Sequence, residues 1–167
     1  MSRRALATST ASRIAGVNYI NRTIAGLHTA VHEMLHNNAA ADWVGVVGSE
    51  FNEGTTEWLT QYACSRLSPP ESAPTCYPGQ TPCVQAALNA GLSESALISA
   101  FLTGGAQRSI ATWADHHCSE DWSAIKGYMQ AQNWASARAA LQPGAPVGVD
   151  APGNDVPGAG DDGTRIV

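Results

Sequence analysis

The sequence predicts a mainly α-helical, bundle-like domain with at most a small β element, followed by a tail. Apolar residues recur at helical spacing through most of the first 142 residues. Gly, Pro and Asn residues interrupt that pattern at intervals that suit short helices. Residues 143–167 are rich in Pro, Gly and Asp and contain few large apolar side chains. We therefore expect one folded domain over 1–142 and a disordered tail or linker over 143–167.

Helical spacing places the first helix at 21–37, and the run of short apolar residues over 43–48 predicts a strand or a buried loop. A second helix is predicted over 52–67, with Asn52 as its cap and Ser68-Pro69-Pro70 after its end. Turn residues divide the remainder into further predicted helices at 83–90, 93–102, 107–117 and 121–141, the last with a break near Asn133.

The charge of the chain excludes some classes of protein. Nine basic residues stand against fourteen acidic ones, for a formal net charge of −5, whereas binding of nucleic acid needs a basic face. No apolar run reaches the length that spans a bilayer. Arg3 and Arg4 are not followed by the apolar segment of a signal peptide. We expect a protein that is secreted or delivered outside the producing cell by a route unmarked here, with a cytoplasmic location as the alternative.

Four cysteines are present, and none of their spacings is the C-x₂-C of a structural zinc ribbon. Cys76 and Cys83 enclose a turn-rich loop that could close as a disulfide. Buried thiols are the alternative, and all three pairings of Cys64, Cys76, Cys83 and Cys118 remain open.

A metal-binding motif, His32-Glu33-Met34-Leu35-His36, lies in the first predicted helix. Histidines at i and i+4 share one helical face about 6 Å apart, so both imidazoles can reach one metal ion. The glutamate between them can take a proton from the attacking water. The alternative is a helix with two half-buried histidines and a surface glutamate.

A catalytic zinc usually has three protein ligands and one open position, so a third ligand is expected elsewhere. Glu53 and Glu57 lie four residues apart on the second predicted helix and therefore share a face. One can bind the metal while the other accepts a hydrogen bond from a ligating histidine. The alternative is a solvated acidic turn that the helix dipole favours.

These two segments resemble the gluzincin clan of zinc metallopeptidases, whose members pair an HExxH helix with a glutamate on a following helix, often within N-E-G. Asn52-Glu53-Gly54 supplies that second motif. Sixteen residues, 37–52, lie between His36 and Glu53. The resemblance covers residues 24–67. Only 31 residues precede the first histidine of the motif, so the resemblance implies a minimal or truncated version of the thermolysin-like arrangement.

The resemblance implies a zinc peptidase that acts on peptide or protein substrates. Its metal ligands would be His32, His36 and Glu53, and Glu33 would be the general base. Glu57 matches the acidic residue four positions after the ligand in the thermolysin-like branch. We expect its carboxylate to hold a ligating imidazole rather than the metal.

In the clan a later histidine or tyrosine often stabilises the tetrahedral intermediate. His117 is our candidate, with His116 and Tyr128 as alternatives. The alternative is that His116 and His117 have no catalytic role and lie at a helix C-terminus because the helix dipole favours histidine there.

Two other residues compete for the metal. Asp42 occupies the final position of a metzincin-like pattern, but Ala39 stands where that pattern needs a glycine for a sharp turn, so we rank Asp42 behind Glu53. His28 lies one turn before His32 on the same face, where a core histidine is the more common case.

Two further functions remain open. The chain could be a non-enzymatic helical interaction module that holds zinc only for structure. Such a site should be closed by four protein ligands, with His28 or Asp42 as the fourth. It could also be the metallopeptidase-like domain of a larger secreted toxin or effector.

Overall fold

A computed structural model describes residues 11–14, 17–20, 26–66 and 76–144, and for the first two segments the description is of the backbone. This part of the chain is mainly α-helical, as predicted, with one small β element. Strands β1 (Ala11–Ile14) and β2 (Val17–Ile20) form an antiparallel hairpin that pairs Ala11 with Ile20, and β2 lies beside the first helix. The helices are α1 (Leu27–Asn38), α2 (Trp43–Val47), α3 (Ser49–Cys64), α4 (Gln80–Asn89), α5 (Glu94–Thr103), α6 (Thr112–His117), α7 (Trp122–Gln130) and α8 (Trp134–Ala140), with a π-helical turn at Gln107–Ala111 directly before α6.

The prediction of a strand or buried loop at 43–48 is wrong, because this segment forms helix α2. Trp43 and Val47 are both fully buried, whereas Val44 between them is exposed. Burial therefore repeats every four residues, which is the helical period and not the two-residue period of a strand. A run this short does not distinguish the two structures by its sequence.

The prediction that Asn52 caps the second helix is also wrong. Helix α3 begins three residues earlier, at Ser49, after Gly48 takes a φ of +81°. Asn52 lies inside the helix, where it is buried. The predicted start of the first helix at 21–25 and the predicted end of the second at Leu67 lie outside the described residues.

The later helices form close to where turn residues predicted them. Three begin at a polar residue whose side chain accepts a hydrogen bond from the backbone two or three residues into the helix, which stabilises the first turn. Asn133 is one of these residues, and it separates α7 from α8 as predicted. The three caps are Ser93 (from Ala96 N, 3.1 Å), Asp121 (from Ala124 N, 2.8 Å) and Asn133 (from Ser136 N, 3.2 Å).

Helix α3 lies at the centre and contacts α1, α2, α4 and α7. On one side, Phe51 packs edge to face against Trp122 at a ring distance of 5.1 Å, and Trp43 packs similarly against Phe101 at 5.3 Å. The Trp122 indole N–H donates to the carbonyl of Val46 at 3.1 Å. These aromatic contacts fix α2, α5 and α7 around one end of α3.

Helix α4 approaches α3 closely at Gly54. A Cβ atom added at this position would lie 2.8 Å from the carbonyl oxygen of Gln80. Only glycine therefore permits this packing, which holds Cys76 and Tyr77, the residues that precede α4, against the rest of the domain. Gly79, just before α4, packs against Trp134. The nearest ring atom of Trp134 would lie 2.4 Å from a Cβ added at Gly79.

The described structure continues two residues past the predicted domain end. Pro143 forms a bridge with Cys118, and the N–H of Gly144 donates to the carbonyl of His117 at 3.1 Å. The rest of the predicted tail, 145–167, lies outside the described residues, as do the N-terminal arginines.

The structure joins no pair of the four cysteines by a disulfide, and Cys64 and Cys83 are fully buried. None of the helices in the described ranges is long and apolar enough to cross a membrane.

Candidate metal centre

Helices α1 and α3 bring His32, His36 and Glu53 together. The Nε2 atoms of the two histidines lie 3.0 Å apart. Glu53 Oε2 lies 3.3 Å from Nε2 of His36 and 3.4 Å from Nε2 of His32. The spacing within α1 provides the histidine pair, and the packing of α3 against α1 provides the carboxylate. The three predicted ligands therefore form one triangle of ligand atoms, which we call the ligand triangle.

The size of the ligand triangle suits a metal ion. Bonds of about 2.05 Å to an ideal tetrahedral ion place neighbouring ligand atoms about 3.3 Å apart. The three observed edges of 3.0, 3.3 and 3.4 Å lie close to that value. Two imidazoles and one carboxylate also match the ligand types that divalent transition metals take. This part of the structure can therefore hold a metal ion.

The second nitrogen of His36 faces α3. Its Nδ1 lies 3.3 Å from the amide nitrogen of Asn52 and 3.4 Å from Oγ1 of Thr56. If Nε2 is left unprotonated for a metal, Nδ1 carries the proton and needs acceptors. A 180° rotation of the Asn52 amide presents its oxygen to this proton. That oxygen is otherwise buried without a hydrogen-bond partner among the described residues. Asn52 is therefore placed where it can orient the His36 imidazole, and it does not cap a helix.

The second nitrogen of His32 faces Glu57. Glu57 is fully buried, and its Oε2 lies 3.4 Å from Nδ1 of His32. Its other oxygen accepts a hydrogen bond from Gln61 at 2.9 Å and lies 3.2 Å from Nε2 of His28. Both Nδ1 of His32 and Oε2 of Glu57 are buried and have no closer hydrogen-bond partner in the described part of the chain. The carboxylate is thus placed where it can hold the imidazole with Nε2 toward the ligand triangle.

Glu33 lines a cavity of about 230 Å³ whose wall also includes His32 of the ligand triangle. Glu33 is half-buried and lines this cavity together with Tyr77. The cavity therefore joins the predicted general base to one of the predicted ligands. The residues that line it are His28, Thr29, His32, Glu33, Glu57, Cys76 and Tyr77.

Tyr77 is a site residue that the sequence analysis missed. Its ring stacks on that of His32 at 5.3 Å with only 5° between the planes, and its hydroxyl donates to the carboxylate of Glu53. Burial and this hydrogen bond raise the pKa of Tyr77, so its hydroxyl keeps its proton at neutral pH. Its position in a Pro- and Gly-rich turn indicates a loop, but nothing in its spacing relates it to the histidine pair.

The carboxylate of Glu53 is ionised in this setting. Burial raises its pKa, but hydrogen bonds from His32, His36 and Tyr77 together outweigh burial and hold the pKa well below its usual range. The residue is therefore available as an anionic ligand throughout the neutral pH range.

The structure does not bring the predicted oxyanion residues to the ligand triangle. His117 is exposed on α6 and stacks on Trp113 of the same helix at 6.2 Å, and His116 beside it is exposed as well. The Tyr128 hydroxyl donates to Glu120 at 3.2 Å. Neither histidine nor Tyr128 lines the cavity next to the ligands.

The two rival ligands are engaged elsewhere. Asp42 accepts a hydrogen bond from the backbone N–H of Gly105 at 3.0 Å, which ties the start of α2 to the loop after α5. His28 lies against Glu57 and belongs to a different group of ligand atoms from the ligand triangle. Within the described ranges, neither residue joins His32, His36 and Glu53.

Comparisons with protein-family models, with curated proteins and with solved structures find no match for this chain.

Proposed function

We propose that this protein is a zinc-dependent peptidase in which His32, His36 and Glu53 bind the metal and Glu33 is the general base. The observation that carries the proposal is the ligand triangle, with edges of 3.0, 3.3 and 3.4 Å, beside a cavity lined by Glu33. The sequence resemblance to gluzincins implies the same four residues.

Two imidazoles and a carboxylate are the ligand set of known catalytic zinc sites, which supports zinc over the oxygen-preferring ions calcium and magnesium. A zinc ion bound there would polarise the scissile carbonyl as a Lewis acid and lower the pKa of water. Asn52 and Glu57 would keep the two imidazoles in the tautomer that leaves Nε2 for the metal.

Glu33 lies between the two histidines in sequence and faces the cavity, where a substrate carbonyl and a water molecule would meet. Its carboxylate would accept the proton of the attacking water and then deliver it to the leaving amine. This role needs a carboxylate that can bind a proton reversibly, so the amide of glutamine cannot replace it.

Tyr77 is the residue that we assign to the oxyanion, in place of the predicted His117. Its hydroxyl keeps its proton, and it already donates to an anionic oxygen at the ligand triangle. A donor held in position in this way stabilises charge that develops on the substrate oxygen. The stacked ring of His32 fixes its orientation.

The expected substrate is a peptide or protein. The backbone of β2 lies beside α1, and among the described residues β1 and β2 pair only with each other, so an extended peptide could add a strand to this hairpin. The cavity of about 230 Å³ is too small for a large ligand.

The non-enzymatic alternative requires a closed site with a fourth protein ligand. The two residues expected to provide it, His28 and Asp42, contact Glu57 and Gly105 instead. These contacts favour a site with an open position, as the peptidase requires.

The decisive experiment replaces Glu33 by glutamine. Glu33→Gln should keep the zinc content of the wild type, because it removes no ligand, and should lower peptide cleavage by about 10²–10⁴-fold. Zinc is measured by elemental analysis after dialysis against a weak chelator, and cleavage by mass spectrometry of a mixed peptide library. Glu94→Gln, which removes an exposed charge from α5, is the matched control and should behave as the wild type.

Glu53→Ala should instead lose the zinc held by the ligand triangle, along with activity, because it removes a ligand. Full turnover by Glu33→Gln would contradict the assignment of the base. Tight zinc binding by a wild-type protein that cleaves no peptide of the library would favour the interaction module.

A further inference from the structure

A second group of potential ligands lies next to the ligand triangle and shares no residue with it. It consists of His28 from α1, Glu57 from α3 and Cys76 from the segment before α4, which we call the second cluster. Their ligand atoms all lie within 4.8 Å of one another, and His28 Nε2 is 3.2 Å from Glu57 Oε1. Three separate parts of the chain thus meet at one point.

The burial of the Glu57 carboxylate is the reason to expect a cation at this point. Its side chain is completely buried, and a carboxylate transferred from water to a protein interior needs a compensating charge. Within the described residues, its ion-pair partners are His28 and His32, which are cations only when protonated, and Gln61 donates from a neutral amide. No lysine or arginine of the described part pairs with it.

The geometry of the second cluster leaves room for an ion. His28, Glu57 and Cys76 all line the cavity of about 230 Å³, so their ligand atoms are reached from one space. Tetrahedral zinc with a thiolate at about 2.3 Å and an imidazole at about 2.05 Å places sulfur and nitrogen about 3.6 Å apart. The ligand atoms of His28 and Cys76 lie within 4.8 Å of each other. Cys76 is exposed, so a small movement of its side chain brings the sulfur to about 3.6 Å from the nitrogen.

We infer that His28, Glu57 and Cys76 form a second metal-binding site. A thiolate together with an imidazole selects zinc or a similar transition-metal ion over magnesium and calcium. The Glu57 carboxylate would touch the second ion through Oε1 and hold the His32 imidazole through Oε2, so one residue connects the two sites. This site does not depend on peptidase activity.

Cobalt(II) distinguishes the two sites, because only the second has a sulfur ligand and a thiolate gives an intense near-ultraviolet charge-transfer band. Titration of the metal-free, full-length protein should show two bound equivalents, one of them accompanied by this band. Cys76→Ser should abolish the band and retain one equivalent. His28→Gln should weaken the band-forming equivalent at least tenfold. Cys118→Ser, which changes a half-buried thiol outside both groups, should keep both equivalents and the band.

Two outcomes of these titrations would overturn the inference. One is a wild-type protein that binds a single equivalent without the band, and the other is a band that survives in Cys76→Ser. His36→Gln adds a separate check, because it impairs the first site and should leave the band intact. Loss of the band in that variant would mean that Cys76 binds the first ion, which excludes a separate second site. Folding of each variant is verified by circular dichroism before titration.

Discussion

Gly54 follows directly after the proposed ligand Glu53, and replacing it with alanine tests whether the close contact of α3 with α4 is real. An added Cβ would lie 2.8 Å from the Gln80 carbonyl oxygen and 2.9 Å from its carbon. These are backbone atoms, which cannot rotate away as a side chain can, so α4 must shift. Overpacking of this kind costs about 1–3 kcal/mol. Alanine regains about 1 kcal/mol through its higher helix propensity.

We therefore expect Gly54→Ala to lower the free energy of unfolding by about 1 kcal/mol, which corresponds to a melting temperature about 2–4 °C lower in a chain of this size. Gly127→Ala is the matched control, because Gly127 also lies within a helix, α7, but an added Cβ there would meet nothing within 4 Å. This variant should gain about 0.5–1 kcal/mol.

Differential scanning calorimetry or urea unfolding of the metal-free proteins measures both changes. The substitution is the same in both variants and both positions are helical, so the propensity gain largely cancels in the comparison. The two changes in the free energy of unfolding should therefore have opposite signs. If Gly54→Ala stabilised the protein as much as Gly127→Ala does, the close approach of Gln80 to α3 would be refuted.

Three further predictions concern the site. Glu57→Ala, made in a Cys76→Ser background to leave one metal site, should weaken zinc binding about 10–100-fold, as measured by competition with a chromophoric chelator; an unchanged affinity would mean that Glu57 does not hold a ligand. Asn52→Leu should weaken zinc binding in the same background and assay by about tenfold, because it removes an acceptor for Nδ1 of His36, and unchanged or tighter binding would contradict the rotated amide. Tyr77→Phe should leave zinc affinity nearly unchanged and lower kcat about 10²–10³-fold. A loss confined to KM would instead assign this hydroxyl to substrate binding.

Much of the fold follows from local patterns in the sequence. The caps Ser93, Asp121 and Asn133 mark helix starts because a short polar side chain satisfies the first backbone N–H groups wherever the chain turns into a helix. The same reasoning failed at Asn52, since a residue of the capping type can equally serve inside a helix when a tertiary partner such as His36 needs it.

Short apolar runs are the other limit of sequence reasoning. Helix α2 has five residues, too few for a helical period to stand out, and its burial is decided by the aromatic side chains of α3 and α5 that surround Trp43. His117 was predicted to lie near the metal ligands, and the structure does not bring it there. The sequence alone does not show which helix ends come close to each other in the fold.

The histidine pair and Glu33 could be placed by sequence alone, because the geometry of a single helix fixes what lies four residues apart. Glu53 could be proposed from its motif, but its 3.3 Å distance to His36 arises only when α3 packs on α1. Tyr77 and the second cluster were beyond the sequence altogether. They depend on the packing of α4 against Gly54 of α3. This contact joins parts of the chain that are far apart in sequence, so no local pattern predicts it. Local spacing determined which residues can share a metal, and tertiary packing decided which other side chains surround it.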